Sequence, residues 1–218
     1  MTSDSPLISL RGIRFAYGRE HTVFDALDFD LHEGERVGLT GSNGSGKSTL
    51  LQMIVGLLKP SAGEITAFGK LRRAERDFLE VRMRAGLLFQ DPEDQLFCPT
   101  VADDVAFGPL NQGKPLAEVR NIVAETLAEL SLQGYERRIT CRLSGGEKRL
   151  VSLATVLAMK PDVLLLDEPF NDLDEESTER LILVLSRLPQ AMVLVSHQRQ
   201  FLNCLTTKTL HMRNGVLL

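Results

Sequence analysis

The chain has 218 residues, 43% of them hydrophobic, with a formal net charge of −4 and a pI near 5.6. That length fits one large domain, or one core with a subdomain, and the acidic balance argues against a main partner that is nucleic acid. The three cysteines, Cys98, Cys141 and Cys204, are far apart and show no metal-ligand spacing, so they read as reduced thiols of a cytosolic protein.

The opening MTSDSPLISL lacks the basic region and long apolar run of a signal peptide. The most apolar windows, such as 150–159, lie between Arg149 and Lys160. They fall far short of the roughly 18 residues that cross a bilayer, so a membrane role has to come through a partner.

In chain order, 7–17 and 23–31 alternate apolar and polar residues, as half-buried antiparallel strands do. A turn at 32–35 leads to a short apolar run, 36–40, that ends at Gly41. A helix is predicted over 47–58, stopped by the Pro and Gly of LKPSAG. Residues 63–69 read as a strand and 85–90 as a buried one. From about 91 to 160 strand signals vanish. There, 115–132 places Leu116, Val119, Val123, Leu127 and Leu130 at helical spacing, and a second helix runs from near Ser144 to about Met159. A buried strand at 162–169, a helix at 175–188, a buried strand at 191–197 and a hairpin around Asn214-Gly215 follow.

Strands alternating with helices predict an α/β fold: a mostly parallel core at about 1–90 and 160–218, an antiparallel N-terminal portion, and a helical insert at about 91–159.

The stretch GSNGSGKST, Gly41 to Thr49, matches G-x-x-x-x-G-K-[ST] between a strand and a helix. Glycines let successive backbone N–H groups turn inward as an anion nest, and the helix start at Lys47 adds its positive dipole end. Lys47 supplies a point charge for the β- and γ-phosphates, and the Ser48 hydroxyl suits Mg²⁺. The run VLLLDE puts Asp167 and Glu168 at the C-terminal edge of a buried strand, where ligands of open α/β sheets bind. Asp167 is expected to hold Mg²⁺, and Glu168 to orient or deprotonate the attacking water.

The run LSGGEKR, 143–149, resembles the signature motif of ATP-binding cassette (ABC) ATPases. The phosphate loop, Gln90, Asp167-Glu168 and His197 stand around it in that family's order. The resemblance covers nearly the whole chain and implies a P-loop NTPase (RecA-like) core, ATP and Mg²⁺ as ligands, and a head-to-tail dimer. In that arrangement Ser144, Gly145 and Gly146 offer hydroxyl and N–H groups to the γ-phosphate held by the other subunit. The same Ser144 suits a plain helix N-cap.

Other positions carry over singly. Tyr17 matches the aromatic that stacks on adenine, although with Phe15 nearby it also reads as an ordinary strand aromatic. Gln90 matches the glutamine that touches metal and water. His197 matches the switch histidine on the γ-phosphate, and Asp174 the aspartate of the loop that crosses the dimer interface. Asn171, Asp172, Glu147 and Gln198 depart from the residues common in the family, without removing a phosphate, metal or water contact.

The stretch FQDPEDQLF, 89–97, with its continuation to 111, resembles the cassettes of energy-coupling factor (ECF) importers, and among them the cobalt/nickel type. That implies a short helix facing a transmembrane coupling protein. Pro92 starts such a helix well, and Asp91, Glu93 and Asp94 favour its N-terminus and can meet basic side chains of a partner. Leu96 and Phe97 are expected to line a groove for an amphipathic helix.

Such cassettes often carry a C-terminal extension that helps them dimerise. The chain stops soon after the 209–218 hairpin, so its dimer is expected to depend on ATP and the membrane partner. A vitamin importer such as one for biotin, and a soluble ABC ATPase of DNA repair or translation, are the alternative readings.

Overall fold

The computed structural model describes residues 5–18 and 21–218; the first four residues of the stretch read for a leader lie outside it. The strands β1 (Ile8–Tyr17) and β2 (His21–Leu31) pair antiparallel, as their alternation predicts. With β4 (Ala62–Ala67) and a further short strand, β5 (Lys70–Arg72), they form a four-stranded antiparallel sheet in the order β2-β1-β4-β5.

The second sheet holds β3 (Arg36–Gly41), β6 (Ala85–Leu88), β7 (Val163–Asp167), β8 (Ala191–Val195), β9 (Lys208–Arg213) and β10 (Val216–Leu217). Its order is β10-β9-β3-β8-β7-β6, parallel except for the terminal β9-β10 hairpin. Side chains of a strand alternate between faces, and β7 shows what that does here. Val163 and Leu165 join a core with the antiparallel sheet and α1 (Lys47–Ile54), whereas Leu164 and Leu166 join one with the helices of the other face. Being buried on both faces is why this strand is a continuous apolar run.

The opposite core is built by α3 (Val101–Asn111), α4 (Leu116–Glu129) and α5 (Gly145–Leu157), with α6 (Glu175–Arg187) and α7 (Arg199–Leu205). Two helices of seven residues, α2 (Phe78–Arg84) and α7, were not foreseen. The helix predicted to reach residue 58 ends at Ile54, because Gly56 turns the chain at φ 72. A Cβ there would meet the Phe78 ring of α2 at 2.2 Å, so α1 stops where α2 packs beneath it.

Candidate active site

The strand order sets β3, β8 and β7 side by side, with Leu39 opposite Val195 and Asp167 opposite Val195 in register. The loop after β3, the acids at the end of β7 and the histidine after β8 therefore emerge at one sheet edge. A cleft of about 390 Å³ opens there. Its walls include Tyr17, Asn43, Gly44, Gly46, Lys47, Ser48, Thr49, Gln90, Asp167, Glu168 and His197, all singled out from sequence, together with His21 and Val23 of β2, which were not. Gly41, Ser42 and Ser45 complete the loop.

Gly46 begins α1 at φ 108, and a Cβ there would lie 2.7 Å from Phe24 and 2.8 Å from Val23. The loop can be this close to β2 only without a side chain. Gly46→Ala is expected to lower the melting temperature by roughly 4–8 °C, from about 2 kcal/mol of clash and backbone strain, and to weaken ATP binding. Melting curves with and without nucleotide check this; parental curves in both states would show the contact to be slack.

The buried Lys47 ammonium donates to the carbonyls of Gly41 and Ser42, both at 2.9 Å. Burial pushes its pKa down, while the charges of Glu168 and Asp167 pull it up. Burial pushes the Asp167 carboxyl up, opposed first by the Ser48 hydroxyl and then by Lys47. Burial also raises Glu168, against His197, with Asp167 adding to the rise. Glu168 is only 4% exposed and sits at φ 48, a left-handed conformation that is strained for a residue with a Cβ. Its Oε1 has no hydrogen-bond partner among the described residues. His197 Nε2 lies 3.4 Å away, a contact too long for a well-made hydrogen bond. An orphaned, proton-hungry carboxylate oxygen at a cleft wall can take a proton from a water placed there.

Ser48, Asp167 and Gln90 present hard oxygen donors to the same space. Among the described residues no group of three or more His, Cys, Asp or Glu is arranged as an ion cage. That donor set fits Mg²⁺, which takes one or two protein oxygens and completes its shell with phosphate and water. Tyr17 is half exposed at the rim, its hydroxyl 3.2 Å from Thr49 Oγ1 and its ring edge-on to Phe15 at 4.9 Å.

The signature residues lie elsewhere. Ser144 caps α5 in a reciprocal box: its Oγ accepts from Glu147 N at 3.3 Å, and Glu147 Oε2 accepts from Ser144 N at 2.8 Å. The N-cap reading of Ser144 is thus met. Gly145 and Gly146 lie against Asp172, where a Cβ on Gly146 would stand 3.1 Å from the Asp172 carbonyl. Asp174 caps α6, accepting from Ser177 N at 2.7 Å. None of Ser144, Gly145, Gly146 or Asp174 lines the phosphate cleft.

Two side chains behind Gln90 were not singled out from sequence. Arg149, 2% exposed, donates to the carbonyls of Phe89 at 2.9 Å and Gln90 at 2.5 Å. The Gln95 side chain accepts from Phe89 N at 3.1 Å and donates to Ser152 O and Thr155 Oγ1 on α5.

The 89–97 segment corrects part of the docking expectation. Asp91 caps a single 3-10 turn, Pro92–Asp94, accepting from Glu93 N. Glu93 is ion-paired with Lys148 on α5, and Asp94 is exposed. Leu96 does not line a groove: it is buried in the helical core with Val101 and Val105, because the turn directs it inward. Phe97 is 66% exposed and stacks edge-on against Phe107 of α3 at 4.8 Å, with Leu110 exposed on the same helix.

The family model described as "ABC transporter" matches residues 24–171. The energy-coupling factor transporter ATP-binding protein EcfA of Methanothermobacter thermautotrophicus is 39% identical over 97% of this chain and 70% of its own length. The cobalt import ATP-binding protein CbiO of Syntrophus aciditrophicus is 40% identical over 88% of this chain and 69% of its own length. Among solved structures, CbiO1 of Clostridium perfringens, part of the ABC transporter complex CbiONQ, superposes with a TM-score of 0.85 at 29% identity, covering 99% of this chain and 88% of that one. With the phosphate cleft, the paired acids and the signature helix all in place on this fold, the chain belongs to the ABC transporter family of ATP-binding cassettes.

Proposed function

We propose that the chain is the ATP-hydrolysing motor of an ECF-type importer, on the cytoplasmic side of a membrane, acting as a head-to-tail pair. The carrying observation is the separation of surfaces: the phosphate cleft is complete except for the signature residues, which stand on another face of the chain. A second copy, or a homologous cassette, turned about a two-fold axis supplies Ser144, Gly145 and Gly146 to each cleft. Tyr17 then meets adenine, Lys47 and the loop N–H groups hold the phosphates, Glu168 takes the proton of the attacking water, and His197 and Gln90 contact the γ-phosphate. Mg²⁺ held by Ser48, Asp167 and Gln90 would neutralise phosphate charge as it develops. Asp174 stands in the loop at the interface.

The motor drives a transmembrane coupling protein beside a substrate-binding membrane protein. The cargo is cobalt or nickel ion, a reading supported by the resemblance at 89–111 and by the likeness to CbiO; biotin is the alternative. No helix of the described residues is long and apolar enough to cross a membrane, so coupling has to pass through a contact. Phe97 and Phe107 are the docking surface for an amphipathic helix, and Asp91 and Asp94, earlier in the same segment, would meet its basic side chains.

Co-expression with the coupling protein of a cobalt importer tests this. Changing Phe97 and Phe107 together to Asp should abolish co-purification and leave the ATPase rate of the free chain within about twofold, since an exposed apolar anchor carries binding and not fold. Changing Asp91, Glu93 and Asp94 to Ala should weaken the complex less, because Glu93 already has Lys148. Undiminished co-purification of the Phe variant would refute the docking surface. Failure of the parent to bind any coupling protein would favour the soluble-ATPase reading.

A further inference from the structure

The first turn of the signature helix carries a charge that opposes its task. Glu147 stands on α5 in the same turn as the Gly145 and Gly146 N–H groups, at the positive end of the helix. Hydrogen bonds from Ser144 N–H and the Tyr135 hydroxyl hold its carboxyl below the usual range, so it is ionised at neutral pH. An uncompensated anion there repels an incoming phosphate and cancels part of the helix dipole.

The compensation is Arg138. Its guanidinium meets Glu147 Oε1 at 2.8 Å, on the oxygen that also accepts from the Tyr135 hydroxyl at 2.8 Å, and it lies 3.5 Å over the Tyr135 ring. Arg138 is held there by backbone: its N–H donates to the Tyr135 carbonyl, its own carbonyl accepts from Val101 N, and the Glu136 carbonyl accepts from Ala102 N. The pair is 48% and 29% exposed, so it contributes little to folding. A fixed cation on this carboxylate matters instead for what approaches the helix end.

We propose that Arg138 is a positioning residue that neutralises Glu147, so that the signature turn accepts the γ-phosphate held by a second copy. This rests on the head-to-tail reading above. The test uses the full chain carrying Glu168→Gln to prevent turnover, and reads the ATP concentration for half-maximal dimerisation by analytical ultracentrifugation at low salt.

Arg138→Gln should raise that concentration about five- to tenfold, while fluorescent-ATP binding to the monomer and the melting temperature, within roughly 2 °C, stay put. Adding Glu147→Gln should restore the parental value within about twofold, since a neutral amide keeps the cap and removes the charge. Higher salt should shrink the Arg138→Gln defect. A harmless Arg138→Gln, or a double variant as impaired as the single, overturns the proposal. The underlying reading fails separately: the Glu168→Gln chain then stays monomeric at saturating ATP, or dimerises unchanged when Ser144→Arg is added.

Discussion

Glu168→Gln is expected to suppress turnover by about 10²–10⁴-fold and, at neutral pH without nucleotide, to raise the melting temperature by roughly 2–4 °C. The two effects share one cause. Glu168 is 4% exposed with one oxygen that has no hydrogen-bond partner among the described residues, and burial raises its pKa above the ordinary 4.5. The folded chain therefore holds this proton more tightly than the unfolded chain does. The stability from that proton is fully present below pH 4.5 and is lost as pH rises through the folded value. At pH 7 the ionised side chain costs stability, and a neutral amide of the same shape does not. The φ of 48 is common to both side chains and cancels. The gain should thus fade as pH falls towards 4.5, which melting curves across pH check directly. Parental turnover in the variant would remove Glu168 as the base. A lower melting temperature at pH 7 would mean that Lys47 and His197 hold the carboxylate more strongly than burial penalises it.

The parts of this site that were legible in the sequence are those whose cause is local. Gly41 to Thr49 is contiguous, and its chemistry is written in glycines, one lysine and one hydroxyl. The β7 run shows its double burial in five consecutive apolar or edge residues. Where the cause is tertiary, pattern fails. Helices α2 and α7, at seven residues, are too short to display a helical period. The overrun of α1 to residue 58 followed Val55, Leu57 and Leu58; what stops it is the Phe78 ring, 22 residues on in the chain, which leaves room only for Gly56. Leu96 and Phe97 are adjacent and alike in polarity, and only the 3-10 turn decides that the first is core and the second is surface. Arg149, between Lys148 and Leu150, reads as a solvated charge until its two carbonyl partners are seen.

Those partners predict the second large effect. Arg149→Ala should destabilise the chain by about 3 kcal/mol, roughly 6–12 °C in melting temperature, by leaving the Phe89 and Gln90 carbonyls without their donor and a void where a buried side chain stood. More tellingly, it should uncouple two parts of the machine. Arg149 lies one turn into the helix that Ser144 caps, yet it grips the backbone of Gln90, and Gln95 ties the neighbouring Phe89 N–H to the same helix. A shift of Gln90 would pull on α5 through these ties, and the 89–97 segment, Phe97 included, would move with it. Hydrogen exchange should therefore quicken over 89–97 in Arg149→Ala, with the phosphate loop still protected by ATP. Arg149→Lys, which keeps the charge but not the fork, should recover part of the stability and little of the protection. Unchanged exchange over 89–97 would show that Gln95 alone holds the segment and would assign Arg149 to packing.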